Sequence, residues 1–449
     1  MGPKTIFITS FHPLISRNIL STPLIGRLIG ENGLRVVVIA PQKKKSFFER
    51  ELSGSGAVLE FVNTRLQLRD KLLRYLSLAA LDSRSLKIKR SSKMRTTSAF
   101  FGKIAANSFG LRLTRYLSAR FTPRGLFDDL LGKYAPLLIF STDVQNEFDV
   151  RLLIEAKDRG IKTVGAVRSW DNLTCKGALR VMPDKLVVNN EILKNEAVSM
   201  HKVRPDAIEV IGIPHYDFYT DPKKRTPRED FFKSLGLNTA KRVLLFAPAG
   251  DRYVKENTVD RDILKIIDKN LDDNWQVLVR LPPTDKVSNL ENFNALGRII
   301  FDRPERFFAT PKNNEISKSS DRRLADSLFY CDAVVSGPST MAVDAAFFDK
   351  PVVLAGFDGA EKRPYKKSIL RYYDYDHWKQ VLRSGGAKLC LSPEEFALEF
   401  ALAVSVKNSG SRERGELVRG QCQFTDGGST GRLLSVILKT AQNDGKKII

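Results

Sequence analysis

The sequence predicts an α/β protein of two Rossmann-like domains facing across a cleft. Three observations lead there. Apolar, β-branched runs alternate with helical patterns through both halves of the chain, as parallel sheets covered by helices require. A run such as Val243–Ala247 is apolar and β-branched enough for a central strand. The stretch DAVVSGPSTMAVDAAFFDKPVVL, residues 332 to 354, reads strand, tight turn, helix, strand.

The elements follow in order. Thr5–Thr9 opens the first half as a strand, Asn18–Asn32 continues it as a helix, and Val36–Ala40 and Ala57–Val62 follow as buried strands. After a basic stretch the alternation resumes with strand Leu137–Phe140, helix Asp149–Arg159 and strand Thr163–Val167. Lys185–Val188, Glu191–His201 and Ile208–Ile211 give strand, helix and strand. The charged run DPKKRTPRED reads as a linker. The second half has strands at Val243–Ala247, Gln276–Arg280 and Arg298–Phe301, and helices at Asp260–Asn270 and Asp321–Tyr330. The expected domains are 1–220, with a basic insertion at about 65–124, a linker at 221–240, and 241–449.

In the last of these units Ala333–Val335 is a strand and Ser336-Gly337-Pro338 is turn chemistry. Ser339 is an expected N-cap for a helix from Met341 to Phe348, and Lys350-Pro351 stops it. A hydroxyl-rich turn at a helix N-terminus leaves N–H groups free in front of a positive dipole end. At the carboxyl end of a strand in an α/β pattern, a ligand can reach it. The turn therefore predicts a cradle for the diphosphate of a nucleotide-linked donor. The plain alternative is an ordinary capped strand–turn–helix unit.

Composition bounds the function. A chain of 449 residues with 42% hydrophobic content has ample core for two domains. The start, MGPKTIFITS, lacks the pattern of a signal peptide, and no apolar run has the length of a membrane span. Cys175, Cys331, Cys390 and Cys422 show no metal spacing, and the four histidines are scattered. The expectation is a cytoplasmic protein with no metal and no cofactor beyond its nucleotide-linked substrate.

The net charge of +22 is uneven. Residues 65 to 124 hold 15 Lys/Arg against Asp70 and Asp82, a surplus of +13 that leaves +9 for the rest of the chain. Leu66, Leu73, Leu76 and Ala80 recur at helical spacing, with Leu72 and Ala79 nearby, and Arg65, Arg69, Lys71 and Arg74 interleave with them. Such a segment suits an anionic membrane surface on the cytoplasmic face. It also suits an acidic polymer or nucleic acid. No RRM, KH or zinc-finger pattern supports nucleic acid. A Leu face packed on its own domain is the plain alternative.

Four segments resemble the GT-B glycosyltransferase superfamily, closest to the CDP-glycerol glycerophosphotransferase-like branch. CDAVVSGPSTMAVDAAFFDKPVV resembles that branch's D-x-x-x-(T/S)-D-x-S-S-x-x-x-D-x-x-x-x-x-K/R-P pattern, with Ser339 and Thr340 at the hydroxyl pair and Asp344 at the acid. LLFAPAGDRY resembles its strand and a-P-T-x-R, which implies Arg252 near the donor phosphates. IEVIGIPHYD resembles its G-x-P-x-x-D, and QFTDGGSTGRLLSVIL its final helix. The chain departs from the branch at VLVRLPPTDK: Leu281-Pro282-Pro283 stands where His-Pro is usual. Arg280 is the expected replacement charge, since a guanidinium binds phosphate bidentately.

The first half is expected to hold the acceptor and the base that takes its proton. His12 follows the first strand, Asp143 follows LLIFS, and Asp171 lies in the polar run RSWDNLTCKG; all three are candidates. In that run Trp170 and Asn172 are expected to stack on and hydrogen-bond a sugar, and Gly177 to mark a bend. Ser336, Gly337, Ser339 and Thr340, with Arg252 and Arg280, would neutralise the leaving phosphate, which is electrostatic catalysis. The expected function is transfer of a glycosyl or polyol-phosphate group from a nucleotide-linked donor to a cell-surface glycan or lipid-linked acceptor. A non-hydrolysing sugar-nucleotide epimerase, and a non-catalytic glycan- or nucleic-acid-binding protein, are the alternatives.

Overall fold

The computed structural model describes residues 3–92, 106–254, 258–288, 290, 297–406 and 409–442. The chain forms two compact units, Met1–Asp221 with Cys422–Ile449, and Pro222–Gln421.

The first unit carries a seven-stranded sheet. Its strands are β1 (Thr5–Thr9), β2 (Arg35–Pro41), β3 (Val58–Val62), β4 (Leu138–Ser141), β5 (Lys162–Ala166), β6 (Lys185–Val188) and β7 (Ile208–Val210). They run in the order β3-β2-β1-β4-β5-β6-β7, every pair parallel. The second unit carries β8 (Arg242–Ala247), β9 (Trp275–Arg280), β10 (Ile299–Asp302), β11 (Ala333–Ser336), β12 (Val352–Ala355) and β13 (Lys388–Cys390). Their order is β10-β9-β8-β11-β12-β13, again all parallel. Both sheets are Rossmann-like, and the central strands are apolar along their length because helices cover both faces. In the second unit Leu244, Phe246, Val277, Val279 and Val335 meet Ile263, Ile267, Phe396 and Phe400 in one core.

Three expectations are corrected. The helix expected over Asn18–Asn32 is broken: a π turn, Ser16–Leu20, is followed by a helix only from Leu24 to Gly30. Pro23 lacks the N–H that a continuous helix needs and restrains Thr22. The linker expected at 221–240 is instead part of the second unit from Pro222 onward. There the helix Arg228–Leu235 buries Phe231 and Phe232, and Phe231 stacks on Tyr330 at 5.5 Å. The chain end expected in the second domain returns to the first. Its helix Ser429–Gln442 buries Leu433, Leu434, Ile437 and Ala441 there.

That return joins two of the motifs. The Asp217 carboxylate of IGIPHYD accepts the N–H groups of Ser429 (2.9 Å) and Thr430 (2.6 Å), which open the last helix. Gly212 sits so close that a Cβ would lie 2.4 Å from the Ser429 hydroxyl. Both motifs therefore hold this unit's fold together.

Candidate functional site

In the second sheet the strand order reverses between β8 and β11. Ligands of α/β sheets bind at such points, beyond the carboxyl ends of the strands. Two loops leave there. Gly337, just after β11, packs on the β8 loop: a Cβ on it would lie 2.6 Å from the Ala249 Cβ. The buried Asp260 carboxylate accepts the N–H groups of Ala249 (2.8 Å) and Gly250 (3.0 Å) and fixes that loop.

Further bonds lace the β8 loop to the β9 loop. Arg252 Nη2 donates to the Thr284 carbonyl (2.7 Å) and the Arg252 N–H to Asp285 (3.0 Å). Asp251 accepts the N–H and hydroxyl of Ser288. The Arg252 side chain is exposed beside this frame.

The turn after β11 has a different cap from the one expected. Thr340, not Ser339, occupies the N-cap position of the helix Met341–Phe347, and its hydroxyl makes no capping bond. Ser339 Oγ accepts the Met341 N–H at 3.3 Å. Ser336 is wholly buried, and its Oγ has no hydrogen-bond partner among the described residues. A buried, unmatched hydroxyl is costly, and this one stands at the end of β11, beside the strand-order reversal. Asp344 is buried inside the helix.

Arg280 is a correction. Its buried guanidinium pairs with Asp302 and donates to the Ser320 carbonyl (3.0 Å) and hydroxyl (3.3 Å). It ties β9 to β10 and to the helix Lys318–Tyr330, so its donors face protein. Leu281, where that branch usually has His-Pro, is buried in the core and contributes packing.

In the first sheet the order reverses between β1 and β4. Asp143, buried after β4, accepts from Arg168 Nε (2.7 Å), Asn172 Nδ2 (3.3 Å) and the Gln145 N–H (3.2 Å). Asn172 is wholly buried. It holds this network rather than meeting a sugar, which corrects its expected role. Trp170 and Asp171 lie partly exposed on the β5 loop, and Asp171 pairs with Lys176 at 3.3 Å.

His12, after β1, accepts the Leu14 N–H at its Nδ1 (3.2 Å). Burial, then the Arg168, Lys176 and Lys44 cations, push its ring down to about 2, against the opposing effect of Asp171. The ring is therefore neutral near pH 7. With Nδ1 accepting, its proton sits on Nε2. The geometry leaves no open lone pair for an acceptor proton, which overturns the expectation that His12 is the base. Gly177 does mark a bend, at φ +93°, and a Cβ there would lie 2.8 Å from the Ser77 hydroxyl.

The helix Leu68–Ala80 packs against Ser108–Phe121. Leu73, Ser77 and Ala80 face inward, and buried Asp70 pairs with Arg151. Leu66 and Leu72, on or near the apolar stripe, are exposed. Leu68 is 81% exposed, Leu72 58%, Phe109 73% and Tyr116 66%. Arg65, Arg69, Lys71 and Arg74 are exposed among them, as are Arg112 and Arg120. Residues 93–105 of the basic window lie outside the described residues. Among the described residues no helix is long and apolar enough to cross a membrane, and no three His, Cys, Asp or Glu group as metal ligands.

Sequence reasoning missed Asp260, Lys44, Arg168 and Lys176. Lys44 ends the β2 loop and is buried; Arg168 and Lys176 flank the polar run that was singled out. The signal available was cations recurring in the loops after two strands, β2 and β5.

Solved structures share the architecture. UDP-GlcNAc 2-epimerase from Neisseria meningitidis, bound to UDP-GlcNAc, is 12% identical with a TM-score of 0.59, over 97% of this chain and 100% of that one. A glycosyltransferase from Rickettsia africae is 11% identical with a TM-score of 0.52, over 99% and 100%. UDP-GlcNAc 2-epimerase from Methanocaldococcus jannaschii is 12% identical with a TM-score of 0.51, over 92% and 98%. These likenesses show the GT-B fold alone. No curated protein sequence matches the chain. The profile of CDP-glycerol:poly(glycerophosphate) glycerophosphotransferases matches residues 175–439, which take in both loops of the second-unit site. The chain belongs to the CDP-glycerol:poly(glycerophosphate) glycerophosphotransferase family, a family of transferases.

Proposed function

We propose that this protein moves a glycosyl or polyol-phosphate group from a nucleotide-linked donor to a hydroxyl of a cell-surface glycan or lipid-linked acceptor. The family match over residues 175–439 carries the reading. The second unit takes the donor. Ser336, Gly337, Ser339 and Thr340 receive its phosphates, with Arg252 supplying positive charge. The acceptor oxygen forms a bond to the transferred group as the bond from that group to the nucleotide phosphate breaks. The nucleotide leaves with the electron pair, and the acceptor proton passes to a base. Charge developing on the phosphate is what the turn and the cation stabilise.

The first unit takes the acceptor, with Trp170 as a stacking surface. Asp171 is the proposed base, because its carboxylate is partly exposed while Asp143 is enclosed by Arg168 and Asn172. The exposed apolar and basic faces of Leu68–Ala80 and Ser108–Phe121 dock on an anionic bilayer, where a lipid-linked acceptor resides. Charge complementarity supports that occupant. A thermal-shift screen against nucleoside diphosphates, nucleotide sugars and CDP-glycerol tests the donor assignment. A ligand that binds only the folded state raises the melting temperature. No shift with any of them would contradict the reading.

A further inference from the structure

We propose that the loops after β1, β2, β4 and β5 form a phosphate-binding subsite in the first unit, in which His12 donates a hydrogen bond through Nε2. Its ligand is a phosphate ester of the acceptor. This deepens the transferase reading and rests on it only in naming the acceptor; the subsite itself stands on geometry.

The topology comes first. β2, β1, β4 and β5 are consecutive in the sheet and parallel, so their carboxyl-end loops gather on one edge around the β1/β4 reversal. Lys44, His12, Asp143, and Arg168 with Lys176 come from those four loops in turn.

The donors are the second point. Because Nδ1 accepts the Leu14 N–H, the neutral His12 ring presents Nε2–H, which makes no hydrogen bond to a described residue. Arg168 uses Nε on Asp143 and Nη2, at 3.4 Å, on Asn172; its Nη1 has no acceptor among the described residues. The Asp143–Asn172 network orients that guanidinium. An imidazole N–H and a guanidinium edge make a donor set for a phosphate oxygen.

Charge is the third. Arg168, Lys176 and Lys44 all act on the His12 ring, and Asp171 opposes them. Lys89, from the helix Arg84–Ser92, lies beside Cys175, Lys176 and Asp171. Against Asp143 and Asp171 the cations are in excess, which suits an anion. A neutral sugar hydroxyl gains little from that excess.

The test uses the full chain, with inorganic phosphate and glycerol 3-phosphate as probes. Nitrogen-edited NMR of the histidine rings should show His12 as the Nε2–H tautomer, and both probes should move that signal. By calorimetry, His12→Ala and Lys176→Gln should each weaken glycerol 3-phosphate binding roughly ten- to a hundredfold. His12→Asn keeps a side-chain N–H and should recover part of the loss. Circular dichroism establishes that each variant is folded. A His12 signal unmoved by phosphate, or wild-type affinity in folded His12→Ala, overturns the subsite. Nucleoside diphosphate binding, followed in parallel, reports on the second unit. Its absence beside intact phosphate binding would sink the transferase reading and leave the subsite standing.

Discussion

Gly337 lies against Ala249, with room for a hydrogen and none for a methyl group: a Cβ would come within 2.6 Å of the Ala249 Cβ and 2.9 Å of its Cα. That contact fixes the spacing of the two loops proposed to hold the donor. Gly337→Ala should push them apart, destabilise the second unit by about 1–3 kcal/mol, and weaken nucleotide binding. Urea unfolding and calorimetry check both effects. Wild-type behaviour in both would show that the loops are not in register as described.

The Asp217 carboxylate should stabilise the first unit. Asp217→Ala leaves the Ser429 and Thr430 N–H groups without their acceptor and removes a charge from the helix N-terminus. Such caps contribute about 0.5–2 kcal/mol. Chemical denaturation should register a loss in that range, and no loss would mean that water caps this helix equally well.

Asp149 gives a pH signature. It lies beneath the first-unit loops, accepting from the Thr9 and Ser141 hydroxyls, and burial raises its carboxyl to about 8 from 3.8. Above pH 3.8 the unfolded chain releases this proton while the folded chain keeps it until about 8. Its contribution to stability is therefore full below 3.8 and declines as pH rises to about 8. Asp149→Asn removes the ionisation. The variant should gain on the wild type by up to about 1.4 kcal/mol per pH unit across that window. Urea titrations at acidic, neutral and alkaline pH measure this gain, and a gap independent of pH would refute the assignment.

The docking face should respond to charge. Replacing Arg65, Arg69, Lys71 and Arg74 with Glu should release the protein from anionic vesicles, as should high salt. Each cation near such a surface contributes about 1 kcal/mol, screened within a Debye length. Neutral vesicles should bind neither form well. Wild-type protein that stays in the supernatant at low salt would favour another partner for the exposed leucines and aromatics.

Much of the fold was legible because its signals are local. β8 and β11 are apolar runs bounded by turn residues, and the expected spans of most strands agree with the observed ones to within a residue. What failed depended on distant partners. A charge at a strand end looks the same in sequence whether it meets a phosphate or, as Arg280 does, Asp302 on the next strand. A helical pattern shows that Ser429–Gln442 is a helix, not which sheet it covers; its capping Asp217 lies 212 residues earlier. β13, Lys388–Cys390, is short and half-covered, and nothing in its pattern marks it. The two segments that carried the resemblance at β8 and β11 fall within residues 175–439, which the family profile matches. The role of His12 was misread because its tautomer is set by one backbone N–H two residues away.

The central claim is group transfer from a nucleotide-linked donor, and acceptor-dependent nucleotide release tests it most directly. The protein would be mixed with CDP-glycerol and a panel of nucleotide sugars, with and without lipid-linked glycan acceptors, and free nucleotide measured. Release should require both one donor and an acceptor. It should fall roughly 10²–10⁴-fold in Asp171→Asn, if that carboxylate is the base, and Ser339→Ala with Thr340→Ala should weaken donor binding. Conversion of a nucleotide sugar to its epimer without any acceptor, or no turnover of any nucleotide-linked donor, would contradict the account.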